Sequence, residues 1–333
     1  MANEDIFNRL YNETVNSGDI PPALLPLIKS ALSLLSKTKV NILITGPTGC
    51  GKSSTINAMF GKEVAKVGRT PDPETQEISL YDLNNLVLFD SPGLGDGEIA
   101  DRKHSANIIK KLNEKDSSGN YLIDIVLVIL DGSTRDLGTS YKLINEVIIP
   151  NLGTDKNRLL VAINQADVAM KGKGWDYSAN KPLPELENFL EKKVISTKSR
   201  IKEATNVDII DPVYYSAGDG ENKPYNLAKL LAHIMSVVNP NKRLSVAVNT
   251  NPERGVWFYN QTDNKTPYQD YNKNSSVNTY GEIIKESVKS GVEETCATIG
   301  GVIGGLFGSV GADVGRTVGG WIGKGIKKLF SWF

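Results

Sequence analysis

The sequence predicts an α/β fold in which a mostly parallel β-sheet is covered by helices on both faces. Short, nearly continuous apolar runs alternate with helical patterns between residues 40 and 238, and such runs are typical of strands buried on both faces. The predicted strands are Val40–Ile44, Ile78–Leu83, Asn85–Phe89, Ile123–Leu130, Arg158–Ile163 and Val213–Tyr215. Because parallel sheets of this kind bind ligands at the carboxyl ends of their strands, we expect the ligand-binding loops at that edge.

Two helices are expected before the sheet, in an N-terminal segment of residues 1–39. Pro21 and Pro22 divide this segment, because proline interrupts a helix. The second half carries an apolar helical face made of Leu24, Leu25, Leu27, Ile28, Ala31, Leu32, Leu34 and Leu35. This pattern favours a helix packed on the flank of the following domain, residues 40–238, with docking to a partner as the alternative.

A glycine-rich loop joins the first predicted strand to a predicted helix. It consists of Gly46, Pro47, Thr48, Gly49, Cys50, Gly51, Lys52, Ser53 and Ser54, which fits the phosphate-binding pattern G-x-x-x-x-G-K-[ST]. The glycines allow backbone N–H groups to face phosphates at a helix N-terminus. Lys52 adds a positive charge, and the Ser53 hydroxyl is a candidate ligand for Mg²⁺. The loop predicts a P-loop nucleoside triphosphate site, with an ordinary tight turn as the alternative.

A second element follows the strand Asn85–Phe89 and has the form D-x-x-G. It consists of Asp90, Ser91, Pro92 and Gly93. The carboxylate of Asp90 is a candidate to reach Mg²⁺ through a water molecule. The N–H of Gly93 is a candidate to contact the γ-phosphate.

Two further elements follow the last two predicted strands and point to guanine. Asn164, Gln165, Ala166 and Asp167 look like the N-K-x-D signature, with Gln165 in place of lysine. A carboxylate at Asp167 accepts hydrogen bonds from both N1–H and N2–H of guanine, and adenine offers no such pair. Ser216, Ala217 and Gly218 resemble the S-A-[KG] element, which alone would have little weight.

Together these elements resemble the Era/HSR1-related small GTPases over residues of about 40 to 240. The closest resemblance is to YfjP-like GTPases of bacterial prophages and genomic islands. It rests on the phrases at residues 51–60, 72–75, 90–96, 131–138 and 164–167. A weaker similarity runs to septins and immunity-related GTPases, which dimerise across the nucleotide face. The resemblance implies a P-loop NTPase G domain with GTP or GDP and Mg²⁺ as cofactors, GTP hydrolysis, and a homodimer.

In such a GTPase, residues 61–74 occupy the position of switch I. The resemblance favours Thr75 as the catalytic threonine and Mg²⁺ ligand beside Lys52 and Gly93, and Thr70 is the alternative. Arg69 is a candidate to neutralise transition-state charge, with a solvated surface charge as the alternative interpretation.

Switch II is expected from Gly93 to about His104. Leu94 stands where Ras-type enzymes have the glutamine that orients water, so an isolated monomer should hydrolyse GTP slowly. The missing group would come from elsewhere in the chain, from a second protomer or from an activator, and Arg135 is a candidate like Arg69. His104 has no second histidine or cysteine nearby, so no metal site is expected there.

The composition indicates a protein of the cytoplasm without affinity for nucleic acid. The 333 residues contain 38 Lys and Arg and 38 Asp and Glu, so no net charge favours nucleic acid. The two cysteines, Cys50 and Cys296, provide no disulfide framework. The first residues lack a signal-peptide pattern, so export is not expected.

The C-terminal third has a different character. Residues 239–280 are rich in Asn, Thr, Tyr, Lys and Pro and predict a polar linker or extension. Residues 281–333 predict a helical tail whose glycines recur at positions 300, 304, 308, 311, 315, 319 and 323. This glycine-zipper spacing suits close helix packing. Trp321 and Lys324 belong to an end that resembles an interfacial helix. We expect residues 283–333 to contact the inner face of the cytoplasmic membrane. The alternatives are packing on the domain or on a second protomer, and a disordered tail.

Overall fold

A computed structural model describes residues 3–18, 20–61, 78–83, 85–95, 97–253, 255–258, 284–294, 296 and 311–329. Several predicted features lie outside these residues. They are Arg69, Thr70 and Thr75 of the predicted switch I, and the glycines at 300, 304 and 308.

The central sheet has the strand order β2-β3-β1-β4-β5-β8. Its strands are β1 Val40–Thr45, β2 Ser79–Asp82, β3 Leu86–Asp90, β4 Ile125–Asp131, β5 Leu159–Asn164 and β8 Val213–Tyr214. All pairs are parallel except β2 with β3. Each observed strand boundary lies within two residues of its predicted position, so the apolar runs located the sheet correctly.

Helices cover both faces of the sheet. They are α3 Lys52–Phe60, α4 Glu98–Asn113, α5 Gly138–Lys142, α6 Pro184–Thr205 and α7 Leu227–Val237. Side chains of the strands alternate between two hydrophobic clusters. In β4, Leu127 and Ile129 belong to one cluster, whereas Val128 and Leu130 belong to the other. This period of two is expected for a sheet buried on both faces.

A small hairpin interrupts the pattern between β5 and α6. Its strands are β6 Trp175–Asp176 and β7 Lys181–Pro182. The Trp175 ring meets Tyr225 edge to face, with ring centroids 5.2 Å apart. Two-residue strands leave no periodic signal, so this hairpin could not be predicted from the sequence.

Terminal segments form a further helical layer on one face of the sheet. These helices are α1 Asn3–Val15, α2 Leu25–Leu35, α8 Arg243–Ala247, α9 Gly255–Phe258, α10 (residues 284–294) and α11 Gly311–Leu329. Leu10, Ile28, Val292 and Ile322 of this layer are buried in the same cluster as Ile42 of β1. The N-terminal helices therefore pack on the domain, as the apolar face of Ala23–Leu35 predicted.

The first part of the predicted linker is packed rather than free. Lys242 forms an ion pair with Asp124 at 2.7 Å. The backbone N–H of Asn251 donates to the carbonyl of Met59 at 2.8 Å, at the end of α3. The indole N–H of Trp257 donates to the Asn251 carbonyl at 2.7 Å. Polar composition concealed this packing, because an ion pair and backbone hydrogen bonds make these contacts.

Helix α11 packs closely against α1 and α10 through glycines. A Cβ atom added at Gly319 would lie 3.0 Å from the Cβ of Cys296 and 3.4 Å from the Cα of Glu293 in α10. A Cβ atom at Gly325 would overlap the Thr14 hydroxyl and lie 3.0 Å from its backbone N and Cα atoms. Lys328 also forms an ion pair with Glu13 at 2.7 Å. Within the described residues, no helix is both long and apolar enough to cross a membrane.

Candidate functional site

The glycine-rich loop after β1 requires glycine for both its backbone angles and its close contacts. Gly46 has φ of 147° and Gly51 has φ of 86°, values that disfavour other residues. A Cβ atom at Gly46 would overlap the Ile129 carbonyl, and one at Gly51 would overlap the side-chain amide of Asn164. The loop is therefore held against β4 and β5, with its N–H groups at the N-terminus of α3.

Lys52 begins α3 and its side chain folds along the loop. Its Nζ donates to the carbonyls of Gly46 at 3.2 Å and Pro47 at 3.0 Å. The ammonium thus lies against the backbone of the phosphate loop. The neighbouring Cys50 is fully buried, and burial raises the pKa of its thiol to about 11. Cys50 therefore stays a neutral packing residue at physiological pH.

Asp90 ends β3 at the carboxyl edge of the sheet, beside the start of α3. Only 2% of Asp90 is exposed. Its Oδ2 accepts a hydrogen bond from the Ser53 hydroxyl at 3.4 Å. Its Oδ1 is buried and has no hydrogen-bond partner among the described residues. A buried carboxylate oxygen without a partner, next to a hydroxyl, is a donor set that fits Mg²⁺.

The electrostatics of Asp90 agree with this fit. Burial raises the pKa of its carboxyl to about 6, and the nearby Lys52 charge and the Ser53 hydrogen bond only partly offset that effect. A cation bound at this position would favour the ionised form. Without a bound cation, the Asp90 carboxyl is therefore partly protonated and partly ionised near pH 6.

Asn164, at the end of β5, joins three of the four predicted elements. Its Nδ2 donates to the Cys50 carbonyl at 2.9 Å, and its Oδ1 accepts from the Ala217 N–H at 3.0 Å. The side chain thereby ties the phosphate loop to the segment from Ser216 to Gly218. Both amide atoms are used, so no other residue type would replace them in the same geometry.

Gln165 and Asp167 follow in the same turn and are both partly exposed. Gln165 has a left-handed φ of 62°, and its Nε2 donates to the Gly49 carbonyl at 2.9 Å. The amide therefore links this turn to the phosphate loop without carrying a charge. The Gly218 N–H donates to the Ser216 hydroxyl at 3.2 Å, which closes the last element.

The segment from Gly93 to Gly95 lies against the phosphate loop. A Cβ atom at Gly93 would overlap the backbone of Thr48. The Thr48 N–H donates to the Leu94 carbonyl at 3.0 Å, and the Leu94 N–H donates to the Gly46 carbonyl at 3.4 Å. The Leu94 side chain is buried in the hydrophobic cluster below. It points into the core and leaves only its backbone facing the loop.

Two contacts near the site were not predicted from the sequence. His104 of α4 is buried and hydrogen bonds through Nδ1 to the Gly93 carbonyl at 3.0 Å. Lys193 of α6 donates to the carbonyls of Gly132 at 2.7 Å and Thr134 at 2.6 Å, in the loop after β4. The position of His104 in the predicted switch II was a signal for the first residue. A lysine on an amphipathic helix gave none for the second.

Lys193 braces the loop that also carries Arg135. The Gly132 N–H of this loop donates to the Asn164 carbonyl at 2.7 Å, so the loop supports the turn that follows β5. Arg135 is exposed. Within the described residues, the structure thus places Arg135 on a braced loop beside the site, without a contact to the phosphate loop.

Comparisons with known proteins agree with this geometry. A family model described as 50S ribosome-binding GTPase matches residues 41–165. The probable GTP-binding protein EngB of Thermotoga petrophila is 30% identical over 116 residues, which are 34% of this chain and 51% of the relative. The uncharacterized protein YfjP of Escherichia coli (strain K12) is 27% identical over 173 residues, which are 51% of this chain and 55% of the relative. The chain spans about half the length of these curated relatives.

Among solved structures, a crystal structure of a probable GTP-binding protein EngB is similar at a TM-score of 0.37 and 22% identity, covering 60% of this chain and 98% of the other. The family match begins in β1 and ends just after β5, so it spans the phosphate loop, Asp90–Gly93 and Asn164. Residues 41–165 therefore match a GTP-binding GTPase domain of the Era/HSR1 type.

Proposed function

We propose that this protein is a molecular switch that binds GTP and hydrolyses it to GDP and phosphate. One observation carries the proposal. The side chain of Asn164 joins the phosphate loop to Ala217, and the Gly93–Leu94 backbone contacts the same loop. Four elements far apart in sequence thus form one connected site at the carboxyl edge of the sheet. Phosphate binding, switch contact and base recognition are the roles that these elements support.

Each residue has a proposed role in that site. Lys52 and the loop N–H groups hold the β- and γ-phosphates, and Ser53 and Asp90 hold Mg²⁺, directly and through water respectively. Mg²⁺ neutralises charge on the β- and γ-phosphate oxygens when bound. The Gly93 N–H contacts the γ-phosphate, and Asp167 accepts from guanine. Thr75, with Thr70 as the alternative, is proposed for switch I.

Competition binding tests the proposal. A fluorescent GDP analogue with Mg²⁺ is displaced from the full chain by GTP, GDP or ATP, and phosphate release from GTP is followed in parallel. GTP and GDP should compete well and ATP poorly, because only the guanine edge pairs with Asp167. Equal competition by ATP, or the absence of phosphate release under all conditions, would contradict the proposal.

A homodimer across the nucleotide face is the proposed source of the missing catalytic group. The buried side chain of Leu94 supplies nothing to orient water, whereas Arg135 is exposed beside the site. Specific activity should therefore rise with protein concentration, and Arg135→Ala should reduce that rise. A constant specific activity, in protein shown to be monomeric with a GTP analogue bound, would favour an external activator.

The tail of residues 283–333 has two candidate roles. Membrane docking follows from its interfacial end, and the alternative is a packing element in a cytosolic GTPase that regulates a ribosomal or other assembly. The burial of Val318, Ile322 and Ile326 in the domain cluster supports the packing role for α11. Membrane docking by this apolar face would require α11 to leave α1.

Flotation of the full chain with anionic and neutral vesicles separates these roles. Each assay is run with GDP and with a GTP analogue. Lys324 is exposed, and Lys324→Glu should weaken binding to anionic vesicles, since each basic residue near the surface contributes about 1 kcal/mol. Protein that stays unbound with every nucleotide and lipid supports the packing role instead.

A further inference from the structure

The backbone of Leu94 is held from two sides, by the phosphate loop and by the first turns of α4. The peptide between Gly93 and Leu94 donates its N–H to the Gly46 carbonyl at 3.4 Å, and its carbonyl accepts from His104 at 3.0 Å. A carbonyl oxygen can only accept, so Nδ1 of His104 carries the proton in this bond.

The next peptide, between Leu94 and Gly95, is held in the same way. Its carbonyl accepts from the Thr48 N–H at 3.0 Å. Its N–H donates to Oδ1 of Asp101 at 2.8 Å. Two successive peptides therefore each have one bond to the phosphate loop and one bond to a side chain of α4.

The two side chains of α4 are spaced to act together. Asp101 and His104 lie three residues apart, which places them on the same face of a helix. The Leu94 side chain is buried in the core cluster beneath them, which fixes the turn from below. The segment that precedes α4 is thus fixed by contacts on both sides of Leu94, and Gly93 lies against Thr48 of the phosphate loop.

We propose that His104 is a positioning residue for GTP hydrolysis, assisted by Asp101. His104 touches neither nucleotide nor water in this role. It holds the Gly93 carbonyl, and thereby fixes the orientation of the glycine whose N–H contacts the γ-phosphate. Because the γ-phosphate is present in GTP and absent in GDP, the contact contributes to turnover and not to GDP binding. This inference rests on the proposed function and adds a residue to its machinery.

Three substitutions at His104 in the full chain test the proposal. His104→Ala removes the donor. His104→Asn places an amide close to the position of Nδ1, and His104→Gln places it close to Nε2 instead. Lys103→Ala is the matched control, because Lys103 is exposed on the same turn of α4. Each variant is assayed for kcat and KM with GTP, for GDP affinity and for melting temperature.

His104→Ala should lower kcat about five- to tenfold, as expected for the loss of one buried hydrogen bond. GDP affinity should change by less than about twofold, because GDP lacks the γ-phosphate that Gly93 contacts. His104→Asn should recover most of kcat, His104→Gln should resemble His104→Ala, and Lys103→Ala should match wild type. Asp101→Ala alone should also lower kcat. The double variant with Asp101→Ala and His104→Ala should lose less than the product of the two single effects, because both residues fix the same turn.

Other outcomes would overturn the inference. An unchanged kcat in His104→Ala, with wild type active, refutes the role of His104 and leaves the proposed function intact. Equal losses of kcat and GDP affinity without recovery in His104→Asn show a purely structural residue. If wild type releases no phosphate while Lys52→Ala behaves identically, the proposed function fails, and the positioning role fails with it.

Discussion

In the phosphate loop, glycines are required by the backbone, whereas in α11 they are required by a neighbouring helix. Gly46 and Gly51 have φ angles of 147° and 86°. Gly319 and Gly325 lie within α11, where an added Cβ atom would be 3.0 Å from the Cβ of Cys296 and would overlap the Thr14 hydroxyl, respectively. The loop can therefore be recognised from local sequence alone. The tail glycines acquire meaning only when the packing partner is known, and α1 lies about 300 residues away in sequence.

The largest expected effect tests the loop side of this comparison. Lys52→Ala should lower the GTP hydrolysis rate by about 10²- to 10³-fold, the cost of removing one preorganised charged donor. Its Nζ is held by Gly46 and Pro47, so the loop loses charge as well as two hydrogen bonds. Phosphate release is the measurement. Lys103→Ala is the control, and a Lys52→Ala protein as active as this control would contradict the P-loop role.

The next effect tests base recognition. Asp167→Asn should shift the ratio of GTP to xanthosine triphosphate affinity by about a hundredfold, since hydrogen bonds to a charged group contribute about 1.5–3 kcal/mol each. The amide of the new asparagine can donate to the second carbonyl of xanthine. It can no longer accept both guanine protons, as the carboxylate does. Displacement of a fluorescent nucleotide measures the ratio. A variant that still prefers GTP by the wild-type margin would show that Asp167 does not read the base.

Two glycine substitutions test the tail side. Gly325→Ala should destabilise the chain by about 1–3 kcal/mol, because the new methyl group would overlap Thr14. Gly320→Ala on the same helix meets only open space, so higher helix propensity should stabilise the chain by up to about 1 kcal/mol. Urea unfolding measures both. Effects of the same sign would show that α11 does not pack on α1 as described.

The contrast explains which parts of the molecule the sequence predicted. Apolar runs and turn residues placed all six strands of the sheet and the phosphate loop, because those signals are local. Two other features depend on contacts between distant segments. They are the hydrogen bond from Asn251 to the end of α3 and the hydrogen bonds on both sides of Leu94. No periodic pattern encodes such pairings. The substitution of Gln165 for lysine was visible, but its bond to Gly49 required the folded turn.

The smallest expected effect is a pH dependence of Mg²⁺ affinity, which we expect from the nucleotide site and not from the tail. Burial raises the pKa of Asp90 to about 6 in the absence of a cation. A raised pKa means that the folded protein binds this proton more tightly than the unfolded chain does, so protonation stabilises the nucleotide-free fold as the pH falls through 6. Mg²⁺ requires the ionised form. The apparent affinity of the nucleotide-bound protein for Mg²⁺ should therefore weaken by roughly tenfold from pH 7 to pH 5.

Asp90→Asn should remove this pH dependence, along with most of the Mg²⁺ affinity. The buried titratable group of the tail should contribute nothing to this effect. Burial raises the pKa of Cys296 to about 12, so its thiol stays neutral throughout the tested range. Isothermal titration of Mg²⁺ with GDP at three pH values measures the effect on the variant and on wild type. If the wild-type affinity were constant between pH 5 and pH 7, Asp90 would not contact the cation shell, and the magnesium site would have to lie elsewhere on the loop.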